Sequence, residues 1–252
     1  MKISSPSFRC VAGALVAIAT ASLSGTAHAA ALLQNVNLGA SQQTVSWEAV
    51  VGVGAVSGSA LNNTNMAGIP TSGIGAIAPT APGYRAGAGY YSFSGDYSFT
   101  ASTSIQGSAF ADIQNVVFQR VSMPPTSEEI TPEFLQQDLT FGGGPVLTYT
   151  YLDGSQTMTG QLAATLLVVG DSFEAPNGTI SGTYYNFTYQ WDLSGVEHDI
   201  TGVSISAPVM AHTSVAEARI DIGGTYVQVI PEPASAGLAA LGLAGILIRR
   251  RR

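Results

Sequence analysis

Across residues 91–100 the chain reads Tyr-Ser-Phe-Ser-Gly-Asp-Tyr-Ser-Phe-Thr, with Tyr91, Phe93, Tyr97 and Phe99 on odd positions and small or polar residues on the even ones. A period of two sends alternate side chains to opposite faces of an extended strand, whereas a helix would scatter the same aromatics around its axis. The segment is therefore sheet, either one long strand with an aromatic inner face or a hairpin folded at Ser94-Gly95-Asp96. The signature recurs. Residues 146–152 and 156–162 flank Asp153-Gly154, a strong hairpin signal. Residues 162–169 are apolar enough for a strand buried on both faces, and 178–193 carry Tyr185, Phe187, Tyr189 and Trp191 on one parity. Residues 43–53, with Trp47, and residues 203–205, 209–218 and 219–229 read as further strands, with Gly223-Gly224 a turn or bulge.

Strands at this spacing, with no amphipathic helices between them, define an all-β fold, expected as an antiparallel β-sandwich or jelly-roll-like ectodomain over 30–229. Two stretches depart from the pattern. Residues 62–89 are rich in Gly, Pro, Ala, Ser and Thr and read as a long surface loop. Between Pro132 and Asp138 a short helix is expected, with Thr131 as N-cap, Pro132 at the first helical position and Gly142-Gly143-Gly144 closing it off.

Both ends carry targeting features. Lys2 and Arg9 precede an apolar stretch over 10–23, and Ala27-His28-Ala29 supplies the small-x-small pattern of a signal-peptidase site, so 1–29 reads as a signal peptide and the mature chain as beginning near Ala30. At the other end Pro231-Glu232-Pro233 precedes an uncharged apolar run over 234–248 and then Arg249, Arg250, Arg251 and Arg252. As a helix that run would reach roughly 22 Å, short of the roughly 30 Å hydrocarbon core, but local thinning and snorkelling arginines accommodate the difference. The arginine block would stay cytoplasmic, which places everything before Pro231 on the far side of the membrane. This triplet, small-residue helix and basic terminus together resemble the PEP-CTERM sorting signal. The resemblance covers 230–252 alone and implies export by a Gram-negative bacterium that makes exopolysaccharide. It also implies an inner-membrane intermediate, cleavage near the triplet by an exosortase, and a product at the cell surface or in the extracellular matrix.

Charge and cysteine content narrow the ectodomain's chemistry. All sixteen carboxylates lie between Ala30 and Pro233, where the only cations are Arg85, Arg120 and Arg219, so this segment carries a net charge of −13 against −7 for the whole chain. Phosphate polymers are bound by clustered Lys and Arg, so nucleic acid is excluded as a partner. The single cysteine, Cys10, leaves with the signal peptide, and with it go disulfides, thiolate metal sites and a cysteine nucleophile.

No catalytic motif stands in the chain: no Gly-x-Ser-x-Gly elbow, His-Glu-x-x-His or phosphate loop. Asp171, Glu174 and Asn177 supply oxygen ligands in what reads as a loop and are the calcium candidates, although their spacing matches no known calcium loop. Glu197-His198-Asp199 is the densest cluster of ligand types and reads as an exposed turn, because neighbours on a strand face opposite ways. Tyr90, Tyr91, Tyr184, Tyr185 and Trp191 would form a sugar-stacking platform if they faced outward, but aromatics at strand spacing belong more often to the core. The expectation is an exported, non-enzymatic surface or matrix protein without a resident cofactor, with polysaccharide as its contact and signal peptidase and exosortase as its processing enzymes. The alternative is a secreted carbohydrate-binding module or polysaccharide-acting enzyme, calcium-dependent if those three ligands converge.

Overall fold

The chain folds as β-strands with one α-helix among the described residues of the computed structural model, which describes residues 33–39, 42–47, 72–86, 89–106, 112–125, 130–174 and 182–229. In chain order these are β1 (Gln42–Trp47), β2 (Ala76–Pro79), β3 (Tyr84–Ala86), β4 (Gly89–Tyr91), β5 (Tyr97–Ser104), β6 (Asn115–Met123), helix α1 (Pro132–Thr140), β7 (Val146–Asp153), β8 (Gln156–Ala163), β9 (Leu166–Glu174), β10 (Thr183–Asp192), β11 (Ile200–Val209) and β12 (Ser214–Gly223). One sheet has seven strands in the order β3-β4-β12-β6-β10-β9, with β1 also pairing with β12; the other has five in the order β2-β5-β11-β7-β8. Every strand pairing is antiparallel.

The sheets share one core, as the alternation requires. Trp47, Tyr90, Phe118, Phe187, Tyr189, Trp191, Ile220 and Ile222 from the larger sheet meet Ile77, Phe99, Leu147, Val203, Ile205 and Val209 from the smaller one. A chain of rings crosses the interior: Tyr90 to Phe99 at 6.1 Å, Phe99 to Phe118 at 6.0 Å and Phe118 to Tyr189 at 6.1 Å between centroids. This is the sandwich expected from the sequence. In α1 the Thr131 hydroxyl accepts the Phe134 N–H at 3.2 Å, and the helix runs two residues beyond Asp138 before a turn of 3-10 helix at Phe141–Gly143. Gly142, Gly143 and Gly144 all have positive φ, which ends the helix as the sequence suggests. Leu139 enters the core, and Asp138 pairs with Arg120 inside the sandwich at 2.8 Å.

Three readings are corrected where the chain passes from one sheet to the other. Residues 91–100 are neither one strand nor a hairpin: β4 belongs to the larger sheet and β5 to the smaller, and the segment between them turns a corner that leaves Phe93 exposed. Residues 162–169 do not form one doubly buried strand, since β8 ends in the smaller sheet at Ala163 and β9 starts on the edge of the larger one. The stretch read as a loop over 62–89 supplies β2, β3 and the start of β4 from its described part. The Asp153-Gly154 hairpin does form, with Asp153 opposite Gln156.

Candidate functional site

Alternation also decides what lies on the outer face of the larger sheet. Opposite the core, β6 presents Asn115 and Gln119, β10 presents Asn186, Thr188 and Gln190, and β12 presents Arg219 and Asp221, all of them buried. Buried amides need partners, and these find them first in one another. Asn186 Nδ2 donates to Gln119 Oε1 at 2.9 Å, and Gln190 Nε2 donates to Asn115 Oδ1 at 2.8 Å. Arg219 grips the Asp221 carboxylate with Nε at 2.8 Å and Nη2 at 3.0 Å, while Thr44 Oγ1 donates to the same carboxylate at 2.6 Å.

Two ends of the described chain cover this polar face. Gln119 accepts the Gln34 N–H at 2.8 Å and donates to the Gln34 carbonyl at 2.8 Å; Gln42 accepts from Leu38 N at 3.1 Å and donates to the Val36 carbonyl at 2.7 Å. Gln190 accepts from Val229 N at 2.9 Å and donates to the Val227 carbonyl at 2.6 Å, to which Asn115 Nδ2 also donates at 3.0 Å. In each case a glutamine amide bonds a terminal segment as a neighbouring strand would, with one donor and one acceptor. Gly223 lets the first segment approach, because a Cβ there would lie 2.4 Å from the Leu38 Cβ and 2.8 Å from its carbonyl oxygen. The base of the C-terminal tail is thus held on the folded body at Val229.

Pro231, Glu232, Pro233 and Arg249, Arg250, Arg251 and Arg252 lie outside the described residues, as do Ala27, Ala29 and Ala30. No helix among the described residues is long and apolar enough to cross a membrane, and 234–248 falls outside them. Asp171 and Glu174 belong to β9 rather than to a loop; their side chains, and Asn177 altogether, lie outside the described residues. Among the described residues no group of three His, Cys, Asp or Glu side chains could hold a metal. Glu197, His198 and Asp199 are all exposed, and the His198 ring stacks on Tyr151 at 4.5 Å with planes 10° apart.

Of the five aromatics named as a possible platform, Trp191, Tyr90 and Tyr184 turn inward. Trp191 is wholly buried, its Nε1 donating to the Leu162 carbonyl at 3.1 Å, and Tyr90 is buried with its hydroxyl donating to the Ile77 carbonyl at 2.9 Å. Tyr184 is buried under the N-terminal segment with Leu33, Val121 and Met123. Tyr185 and Tyr91 are half-buried.

A different aromatic group stands in solvent. Tyr84 on β3 and Tyr91 on β4 face each other in register, Phe93 follows in the corner leading to β5, and His212 sits in the turn between β11 and β12. Phe93 lies 4.6 Å from Tyr91 and 6.1 Å from Tyr84, and His212 is 6.1 Å from Tyr91 and 6.4 Å from Phe93. The two sheet-crossing turns are tied together: His212 N donates to the Ser92 carbonyl at 3.0 Å, Ala211 N donates to Asp96 Oδ1 at 2.9 Å, and the Tyr91 hydroxyl lies 3.1 Å from His212 Nδ1. Partial burial, and secondarily the neighbouring Tyr84, push the Tyr91 hydroxyl above its ordinary value, so it stays protonated near neutral pH. Sequence reasoning singled out Tyr91 but passed over Tyr84 and Phe93 as members of a site.

A family model of the PEP-CTERM protein-sorting motif matches residues 229–252, so the match starts at the residue that Gln190 holds. No curated protein matches the chain.

Proposed function

We propose that this chain, which carries a PEP-CTERM sorting motif, is an exported, non-enzymatic protein of the cell surface or extracellular matrix of a Gram-negative bacterium. An exosortase would cut it near Pro231-Glu232-Pro233, after which the folded sandwich leaves the membrane and associates with exopolysaccharide. The sorting motif carries this reading.

The geometry at Val229 adds a physical reason why the cut can be clean. Among the described residues, Gln190 holds Val229 two positions before Pro231, at the residue where the match to the motif starts. Release would then remove the basic, apolar tail and keep the clamped base on the polar face. The product's side chains would carry −13 if Glu232 is retained and −12 if it is removed, which suits a soluble exterior. Mass spectrometry of the mature protein tests the reading: a C-terminus within 231–234 supports it, and Arg249, Arg250, Arg251 and Arg252 retained on the exported form contradict it.

A further inference from the structure

We propose that the rings of Tyr84, Tyr91, Phe93 and His212 form a saccharide-binding platform that takes the C–H face of a neutral pyranose residue within a polysaccharide chain. The proposal deepens the exopolysaccharide reading and rests on it for the source of the sugar.

The first argument is contiguity. A lone exposed apolar side chain needs no explanation. Phe93, however, is 69% exposed, Tyr84 is 40% exposed, and the two rings lie 6.1 Å apart with planes within 27° of each other. Large rings that touch one another and remain in water mark a binding surface.

The second argument is fixed geometry. The four rings come from the edge strand β3, its neighbour β4 and two turns, and three polar contacts hold these pieces together: His212 N to the Ser92 carbonyl, Ala211 N to Asp96, and the Tyr91 hydroxyl beside His212 Nδ1. Behind them, the buried Tyr97 hydroxyl donates to the carbonyls of Tyr90 and Thr213 at 3.0 Å each, pinning the strand end and the turn to the core. A platform held this way loses little freedom when a ligand lands on it.

The third argument is chemical match. Aromatic faces carry the negative part of the ring quadrupole. A pyranose offers them the weakly positive hydrogens of one face and surrounds that face with hydroxyls. The phenolic oxygens of Tyr84 and Tyr91 and the imidazole of His212 supply donors and acceptors beside the rings. Other occupants fit less well. Nucleic acid and acidic polysaccharide meet an ectodomain of net charge −13. A specific protein interface buries about 800 Å² on each side, more than a few side chains provide.

Affinity electrophoresis of the exported protein recovered from culture provides the test, with native gels containing hydroxyethyl cellulose, galactomannan, dextran or alginate. Retardation by at least one neutral polymer and not by alginate is expected. Phe93→Ala and Tyr84→Ala should each weaken the apparent dissociation constant about tenfold, the scale of one lost aromatic contact, while Phe93→Trp retains binding. Circular dichroism melts that match the parent show that the variants fold. Absence of retardation in all three neutral polymers, retardation unchanged in the Phe93→Ala/Tyr84→Ala double variant, or displacement by choline rather than by neutral oligosaccharide would overturn the proposal. The C-terminal mass of the same sample reports on sorting separately, so failure of the platform and failure of the export reading are distinguishable.

Discussion

Gln190 accepts the Val229 N–H at 2.9 Å and, with the other end of the same amide, donates to the Val227 carbonyl at 2.6 Å. Together with Asn115, which donates to the same carbonyl at 3.0 Å, it ties segment 227–229 to the polar face, and the match to the sorting motif starts at Val229.

Replacing Gln190 with Ala should free the tail base and leave Asn115 Oδ1 and Val229 N without their partner. Orphaned buried polar groups of this kind cost about 1–3 kcal/mol. The variant should melt earlier, and limited proteolysis should cut within 226–233 faster than in the parent. Equal melting and equal proteolysis would show that the clamp holds nothing.

The Arg120–Asp138 pair, both side chains fully buried, joins β6 to α1, and the guanidinium also lies 4.8 Å from the Phe187 ring centroid. Asp138→Ala strands a buried cation and should cost about 3–5 kcal/mol in denaturant unfolding. Removing both charges in Arg120→Met/Asp138→Leu should cost clearly less, because no unpaired charge remains. A double variant as unstable as the single one would mean that the pair acts through packing alone.

Two buried tyrosines set an alkaline limit. Burial pushes Tyr189 and Tyr184 up to about 12 from an ordinary value of 10.0; Arg120 partly opposes this at Tyr189, and a hydrogen bond from Ser214 partly opposes it at Tyr184. A raised value means that the folded state holds these protons longer than the unfolded chain. Their contribution is complete below pH 10 and is lost as pH rises from about 10 to about 12. Stability measured by denaturant should therefore fall across that window. Tyr189→Phe and Tyr184→Phe should flatten the decline, and an unchanged slope in both would contradict the assignment.

Phe93 and Trp191 should behave in opposite ways although the sequence places both on an aromatic parity. Phe93→Ala, at a site 69% exposed, should shift stability by no more than about 0.5 kcal/mol. Trp191→Ala, in the core, should cost about 3–5 kcal/mol. Chemical denaturation of the two variants separates them.

These contrasts mark what the sequence could convey. Alternation located β5, β7 and β10, because each sends alternate side chains into the core, and Asp153-Gly154 located β8, which is largely exposed. Thr131 and Pro132 announced α1 because capping is local chemistry. Corners were invisible: parity runs unbroken through Phe93 although the backbone there leaves one sheet for the other. The polar face was equally hidden, since nothing local marks Asn115, Gln119, Asn186 and Gln190 as buried, and the segments that bond to three of them come from the two ends of the described chain. The exposed aromatic group escaped notice for a related reason. Tyr84 stands in a stretch that reads as loop and His212 in one that reads as strand, and only the pairing of two distant turns brings them together.

Export of the folded domain depends on processing at the tail. Intact-mass spectrometry of the exported protein, combined with sequencing of its C-terminal peptide, tests that directly. A chain ending within 231–234 is the expected result, and an exported chain that still ends in Arg249, Arg250, Arg251 and Arg252 would contradict it.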